Sequence, residues 1–229
     1  FEEHDLPQLI ERLKGQESLR VRSVFSHLAG SDEDRFDDYT ETQLALFERM
    51  ANQLSAAFQH RILRHILNSA GIERYSDHQY DMVRLGIGLY GISAVKGSPV
   101  KSVSSLKTTI LQRRHLEAGQ SVGYSRKALL SRPSRIATLP IGYADGLDRH
   151  LGNGLGEVVI NGRRAPIIGN VCMDACMVDV TDIQAEEGDD VLVFGEALPL
   201  AEVAAKLGTI PYEILTSVSN RVKRIYYQE

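Results

Sequence analysis

The stretch "EVVINGRRAPIIG" (Glu157–Gly169) contains two short runs rich in β-branched residues on either side of Asn161-Gly162. Asn-Gly in this position predicts a β-hairpin with a type I′ turn, because both central residues of that turn take a positive φ. Residues 99–229 are therefore predicted to form an antiparallel β domain. We expect one helix in it at "LAEVAAKLG", a helical turn near "PYEILTSVS" and a final strand at "RVKRIYY" (Arg221–Tyr227). The other predicted strands are the alternating runs "SLKTTILQR", "SRIATLPIG", "CMVDVTD" and "DDVLVFG".

Residues 1–98 show a different pattern, in which predicted strands and helices alternate. Apolar residues at helical spacing predict a helix over Asp5–Leu13 and a longer one that starts at a capping box, Thr40–Gln43, and continues to Phe58. Three further runs, "LRVRSVFSHLA", "RILRHILNSAG" and "DMVRLGIGLYGIS", are predicted to contribute strands. This order is typical of βα units in a parallel sheet, whose ligands bind at the carboxyl ends of the strands.

Composition narrows the class of protein. The 229 residues are 43% hydrophobic and 24% charged, with a formal net charge of -4. These values are typical of a globular protein and give no sign of a basic nucleic-acid surface, so small molecules or other protein chains are the expected partners. Because no apolar run is long enough to span a membrane and no signal peptide is recognisable, a cytoplasmic protein is predicted.

The only two cysteines lie in "GNVCMDACMVDV" (Gly169–Val180). If this segment is a strand, Cys172 and Cys176 share one face but lie roughly 13 Å apart, which is four times the rise per residue. Neither one zinc ion nor one disulfide joins side chains at that distance. Both cysteines are therefore predicted to be packing residues, with no metal site.

Five segments together resemble the alanine racemase family. They are "NSAG" (Asn68–Gly71), "VRLGIGLYG" (Val83–Gly91), "SVGYS" (Ser121–Ser125), "PIGYADG" (Pro140–Gly146) and "VCMD" (Val171–Asp174). The resemblance implies an α/β plus all-β protein: the C-terminal part of a pyridoxal-phosphate (PLP) binding, TIM-type (βα) barrel over residues 1–98, followed by the β domain. It also implies a bacterial head-to-tail homodimer that interconverts L- and D-alanine and so supplies D-alanine for peptidoglycan.

Racemisation requires proton transfer on both faces of the substrate Cα, and therefore two bases. The resemblance implies that Tyr124, contributed by the partner's β domain, is one of them. A tyrosine with an ordinary pKa of about 10 is a poor base at neutral pH and needs neighbours that stabilise the phenolate. By resemblance, His27 hydrogen-bonds this tyrosine, and Arg84 faces both His27 and the pyridine nitrogen of PLP.

The same resemblance assigns the residues that hold the cofactor phosphate. They are the Ser69 hydroxyl and the backbone N–H groups of Gly86 and Ile87, and glycine there permits close approach of the backbone. The family often has a tyrosine near the phosphate in a "SYR" context, whereas this chain has "SNR" with Asn220. An amide in place of a phenol adds space and hydrogen-bonding capacity, which raises the hypothesis that serine is accepted beside alanine.

Substrate contacts are implied at the cysteine-containing segment itself. The backbone N–H of Met173 matches a group that receives the substrate carboxylate, and Asp174 lies beside the entrance. Tyr143 is implied as a further substrate contact and, with Asp32 and Arg149, as part of the lining of the entrance corridor. The cysteines are thus predicted to be packing residues, whereas Met173 and Asp174 are predicted to contact the substrate.

Two departures from the family pattern leave alternatives open. No segment resembles "KADAYGHG", which carries the lysine that attaches PLP covalently, and only three of eight barrel strands are recognisable. The chain is therefore expected to be a C-terminal fragment that is inactive alone and whose partners include a missing N-terminal half; Lys96 and Lys101 are the first residues to test should it hold PLP covalently. A serine or broad-specificity racemase, an amino-acid decarboxylase and a non-catalytic assembly fragment remain as alternatives.

Overall fold

A computed structural model describes residues 1–95 and 97–227, and the chain divides into two compact units, Phe1–Lys101 and Ser102–Glu229. The first unit contains α1 Leu6–Lys14, β1 Ser23–Phe25, α2 Asp37–Ala56, β2 Leu63–His65 and α3 Ser69–Arg74. The strands of the second unit are β3 Leu106–Thr109, β4 Gln112–Leu116, β5 Ser121–Val122, β6 Ala128–Leu129, β7 Ser134–Leu139, β8 Glu157–Ile160, β9 Arg163–Ile168, β10 Cys176–Asp179 and β11 Asp190–Phe194. Its helices are α4 Leu200–Leu207 and α5 Pro211–Ser217. No helix of the described residues is long and apolar enough to cross a membrane.

The first unit is built on the predicted parallel pairing. β1 and β2 run parallel with Ser23 opposite Leu63, which confirms the strand–helix–strand reading. The intervening α2 buries one face, including Leu44 and Phe47, in the core of this unit. The carboxyl ends of both strands therefore present neighbouring residues at one edge.

The start of α2 differs from the prediction. The helix begins at Asp37, so Thr40 lies buried within its first turns and the proposed capping box is wrong. The N-cap residue Phe36 makes no side-chain cap hydrogen bond. Instead, Asp37 and Asp38 place two carboxylates in the first turn, where the helix dipole favours negative charge.

The third predicted strand of this unit does not form. Its chain runs beside β2, with the N–H of Asp81 bonded to the Arg64 carbonyl and the N–H of Arg84 to the Leu67 carbonyl. It then turns into a one-turn 3₁₀ helix, Ile87–Tyr90. The glycines of "LGIGLYG" explain the difference, because they favour turns over an extended ladder.

The second unit is dominated by a seven-stranded antiparallel sheet in the order β3-β11-β8-β9-β10-β7-β4, with β5 and β6 paired separately. The hairpin of β8 and β9 is confirmed: Ile160 pairs with Arg163, and Asn161 and Gly162 have φ values of 48° and 74°. Alternating residues of the strands, such as Val158 and Ile160, are fully buried. The antiparallel β domain predicted from the hairpin is thus present.

One local prediction in the second unit is wrong, and one conditional premise about the cysteines does not hold. Arg221–Tyr227 forms no strand; the segment follows α5 without regular structure, and the Arg224 guanidinium donates to the carbonyls of Val218, Ser219 and Val222. The predicted strand "CMVDVTD" forms as β10, which begins at Cys176; Cys172 therefore lies in the preceding turn, and the two cysteines do not share a strand. That turn carries the residues that the family resemblance singles out.

Candidate functional site

Two loops of the β unit meet edge to edge and form the floor of the candidate site. The N–H of Tyr143 donates to the Cys172 carbonyl, and the N–H of Ala144 to the Met173 carbonyl, each at 3.0 Å. This approach requires glycine at position 142: a Cβ there would lie 2.3 Å from both carbonyl oxygens, well inside van der Waals contact. The motifs "PIGYADG" and "VCMD" are therefore one structural unit.

We expect Gly142→Ala to destabilise the β unit by about 3 kcal/mol, because backbone atoms cannot move aside as a flexible side chain can. Urea unfolding of the 229-residue chain, followed by circular dichroism, measures the loss. Gly15→Ala is the matched control: this glycine also has a negative φ, but its added Cβ finds nothing closer than 3.6 Å. Equal stability of the two variants would contradict the proposed close contact.

The cleft above this floor collects the predicted substrate residues of the β unit. It has a volume of about 640 Å³ and is lined by ten residues: Tyr124, Ser125, Tyr143, Arg149, Asn170, Val171, Cys172, Met173, Asp174 and Ala175. Five of them, Tyr124, Tyr143, Arg149, Met173 and Asp174, were singled out from the sequence. Residues that lie 50 positions apart in the chain are thus brought to one surface.

The cleft is chemically suited to an anion. The backbone N–H of Met173 has no hydrogen-bond partner among residues 1–95 and 97–227. The guanidinium of Arg149 has no ion-pair or hydrogen-bond partner in that same part of the chain. The one carboxylate in the lining, Asp174, is paired with Arg221 at 2.7 Å. An unpaired amide and an unpaired guanidinium in one cleft favour a carboxylate ligand.

The backbone of Tyr124 is held by a hydrogen bond, whereas its side chain is exposed. Its carbonyl accepts a hydrogen bond from the Asn170 amide at 3.2 Å, and Asn170 in turn accepts one from Asn153 at 3.1 Å. The next two residues, Ser125 and Arg126, have φ values of 58° and 51°, a conformation that non-glycine residues rarely adopt. The residue is 73% exposed, so its phenol is available to a ligand or to another chain.

A separate cluster in the first unit is centred on the guanidinium of Arg84. Nη2 donates to the Ser26 carbonyl at 2.6 Å and contacts His27 Nδ1 at 3.2 Å, while Nη1 contacts His65 Nδ1 at 2.7 Å. Further bonds reach the carbonyls of His65 and Ile66, both at 3.3 Å. Arg84 therefore ties together the carboxyl ends of β1 and β2.

These contacts fix the tautomers of both histidines. A guanidinium has only donors, so the Nδ1 atoms of His27 and His65 accept, and each neutral ring carries its proton on Nε2. Burial, and then the charge of Arg84, lower the pKa of His65. Burial likewise lowers the pKa of Arg84. The outcome is a charged guanidinium beside a His65 imidazole that is harder to protonate than a free one.

Ser69 forms the second part of this edge. Its buried hydroxyl accepts the N–H of Gly86 at 2.9 Å and the N–H of Gly88 at 3.1 Å. Asn68 caps the following helix by accepting the N–H of Gly71 at 2.9 Å. Because its oxygen accepts these two N–H groups, the Ser69 hydroxyl keeps its own O–H as a donor for an anion such as a phosphate group, whereas the predicted Gly86 N–H is bonded within the chain.

Three predicted residues lie outside these two clusters. Asp32 is exposed in the turn after β1, and Asn220 is exposed in the turn after α5 and does not line the cleft. Lys101 is exposed, and Lys96 lies outside the described residues. Two further residues of these clusters, His65 and Arg221, were not predicted from the sequence. His65 could have been predicted, because it is the last residue of the second strand of a parallel pair and ligands bind at that end. Nothing in the sequence pointed to Arg221 except its place in "SNR".

Cys176 is buried away from the cleft, whereas Cys172 lies in the cleft lining. Burial, with a smaller effect of Cys172, raises the pKa of the Cys176 thiol to about 12. Both residues are free thiols, and Cys172 Sγ donates weakly to the Asn170 carbonyl at 3.7 Å. Within the described residues, no group of three or more His, Cys, Asp or Glu side chains is arranged to hold a metal ion.

Comparisons with known proteins identify both units. A family model described as "Alanine racemase, N-terminal domain" matches residues 1–94, and one described as "Alanine racemase, C-terminal domain" matches residues 103–226. A relative from Caldanaerobacter subterraneus subsp. tengcongensis, named "Alanine racemase 2", is 40% identical over 95% of this chain and 58% of its own length.

Solved structures give the same result. A crystal structure of alanine racemase from Bartonella henselae with covalently bound pyridoxal phosphate superimposes with a TM-score of 0.89 and 38% identity, over 99% of this chain and 62% of that one. One from Bacillus anthracis with bound L-Ala-P gives a TM-score of 0.90 and 31% identity, over 100% of this chain and 61% of that one. The chain thus spans about three fifths of the length of the relatives it matches.

Proposed function

Because the chain belongs to the alanine racemase family, we propose that it forms the PLP-dependent active site of an enzyme that interconverts L- and D-alanine. The observation that carries the proposal is the cleft of the β unit, in which Tyr124 lies beside the unpaired Met173 N–H and Arg149. A substrate of this class has a carboxylate to be held and an adjacent Cα proton to be moved.

The residues of the first unit fit PLP. Ser69 and the backbone of Gly86 and Ile87 would hold its phosphate, and the Arg84 guanidinium would donate to its ring nitrogen. The buried Ser69 hydroxyl, which accepts two backbone N–H groups and keeps its own O–H as a donor, and the desolvated cation of Arg84 support this assignment. When bound, PLP delocalises the electron pair left on Cα after proton removal. Because Arg84 stays protonated, it donates to the nitrogen without transferring its proton.

The side chains of the β unit would bind the substrate and move the proton. Met173 N–H and Arg149 would hold the carboxylate, with Tyr143 as a further contact, and the Tyr124 oxygen would exchange a proton with Cα on one face. Because Arg84 holds His27 with its proton on Nε2, that N–H is available to donate to a phenolate oxygen. Donation stabilises the phenolate, which makes tyrosine a better base at neutral pH.

We place Tyr124 and the Arg84 cluster of one site on two different subunits. In a head-to-tail homodimer, the β unit of each protomer would supply Tyr124 and Met173 to the partner subunit's His27 and the partner subunit's Arg84. The exposed phenol supports this arrangement, because a tyrosine that serves only its own core would be covered. Asp32 would then line the approach to the site, and Asn220 would lie near the cofactor phosphate.

The test is racemisation by the complete gene product that contains this chain, loaded with PLP. With L-alanine in D₂O, we expect D-alanine to form with deuterium at Cα and a kcat/KM of about 10⁴ M⁻¹s⁻¹ or more. Serine in the same assay tests the hypothesis raised by Asn220. Release of CO₂ and an amine would favour the decarboxylase, and bound PLP without turnover would favour a non-catalytic role; either result would overturn the proposal.

A further inference from the structure

Arg221 joins two loops that are distant in sequence. Its Nε donates to Asp145 Oδ1 at 2.7 Å, and its Nη2 donates to Asp174 Oδ1 at 2.7 Å. Asp174 lines the cleft, directly beside Met173. One side chain from the segment after α5 therefore connects the two loops that form the floor of the site.

Asp145 is the better anchored of the two partners. Its Oδ2 accepts the N–H of Gly142 at 2.8 Å, and its carbonyl accepts the N–H of Ser219 at 3.0 Å. Its side chain is only 15% exposed, compared with 64% for Asp174. Burial opposes ionisation, yet the hydrogen bonds from Arg221 and Gly142 hold the pKa of Asp145 below its ordinary value. The Arg221–Asp145 pair is therefore the stronger of the two, because exposed ion pairs such as Arg221–Asp174 contribute little stability.

The pair between Arg221 and Asp174 controls the charge in the cleft. Without Arg221, the carboxylate of Asp174 would be an uncompensated anion beside the Met173 N–H, and it would be free to compete for Arg149. Both effects oppose the binding of a substrate carboxylate, because like charges a few ångströms apart repel even in a partly exposed site. Pairing with Arg221 removes that repulsion and also fixes the turn that presents the amide.

We propose that Arg221 is a positioning residue that keeps the Met173 turn in place and neutralises Asp174, so that the cleft binds the substrate carboxylate. The inference rests on the proposed racemase function for the identity of the substrate. The contacts themselves are independent of it: any carboxylate ligand of this cleft would gain from the same arrangement. Arg221 touches neither substrate nor reacting atoms in this role, and its effect is expected on binding rather than on proton transfer.

Kinetics of Arg221→Gln in the complete gene product test the role. We expect KM for alanine to rise about tenfold, with kcat within threefold of wild type, because carboxylate binding is weakened while the Tyr124 position is kept. Arg221→Lys retains the charge but cannot bridge both carboxylates, so its KM should lie between those of wild type and Arg221→Gln. Arg132→Gln is the matched control, since Arg132 forms a similarly exposed pair with Asp182 outside the cleft lining and should leave KM unchanged.

Binding of propionate, the alanine skeleton without its amino group, provides a readout without turnover. In the 229-residue chain, the amide signal of Met173 should shift on titration, and Arg221→Gln should weaken this binding about tenfold. Adding Asp174→Asn to Arg221→Gln should recover part of the loss, because it removes the unpaired charge. Racemisation that fails while propionate binding behaves as described would reject the function and keep the inference; unchanged propionate binding and KM in Arg221→Gln would overturn the inference.

Discussion

In the complete gene product that contains this chain, Tyr124→Phe is expected to abolish the proposed racemisation while leaving the fold unchanged. The substitution removes only the phenol oxygen, which is exposed and makes no hydrogen bond within the described part of the chain. The backbone contact from Asn170 that fixes the residue is retained. Because a positioned base contributes about 10² to 10⁴ in rate, we expect kcat/KM to fall about a thousandfold.

Isotope exchange separates the loss of one base from a general defect. If Tyr124 serves one face only, the variant should still exchange the Cα proton of one enantiomer with D₂O, without inversion. PLP absorbance and the melting temperature should match those of wild type. Tyr226→Phe is the control, because this tyrosine is also exposed and lies outside the cleft lining. A Tyr124→Phe enzyme that keeps more than about a tenth of wild-type kcat/KM, a loss below about 1.4 kcal/mol, would remove Tyr124 from the role.

The features that could be predicted from the sequence are those encoded locally. The hairpin at Asn161-Gly162 follows from turn chemistry, and the parallel pair β1 and β2 from the order of apolar runs around one amphipathic helix. The two predicted strands that do not form have different causes. In "LGIGLYG" and in Arg221–Tyr227 the apolar residues suggest strands, but glycine conformations in the first and arginine–carbonyl bonds in the second determine the path.

The candidate site was only partly predictable for a related reason. Tyr124 and Met173 were found through motifs shared with a family, not through any periodic pattern. His65 and Arg221 act through side chains from distant parts of the chain, and such contacts exist only after the chain has folded. Gly142 is an intermediate case: its motif is recognisable in the sequence, but the need for glycine arises from two carbonyl oxygens that approach it only in the folded chain.

Arg84→Gln should cost the first unit about 3 kcal/mol of stability at pH 8, measured by urea unfolding of the 229-residue chain. The guanidinium donates to carbonyls at the ends of both strands. Hydrogen bonds to charged groups contribute about 1.5–3 kcal/mol each. Glutamine can keep only some of these bonds, so the variant loses the stabilisation of at least one of them. Arg22→Gln is the control, because Arg22 is exposed and its side chain has no bonding partner within residues 1–95 and 97–227. It should change stability by less than about 0.5 kcal/mol.

The pH dependence of the difference identifies the cause. Burial and the charge of Arg84 lower the pKa of His65 in the folded chain, so the unfolded chain binds more protons once the pH falls below about 6.5. The stability that wild type has above that value is therefore lost as the pH falls toward the folded-state pKa of His65. In Arg84→Gln the repulsion is gone, the pKa of His65 rises toward its ordinary value, and less stability is lost. The difference in the free energy of unfolding between wild type and Arg84→Gln should therefore become smaller from pH 7 to pH 5. The midpoint of the His65 titration, followed by NMR, should move to higher pH in the variant. A constant difference and an unchanged midpoint would show that Arg84 stabilises the strands without acting on His65.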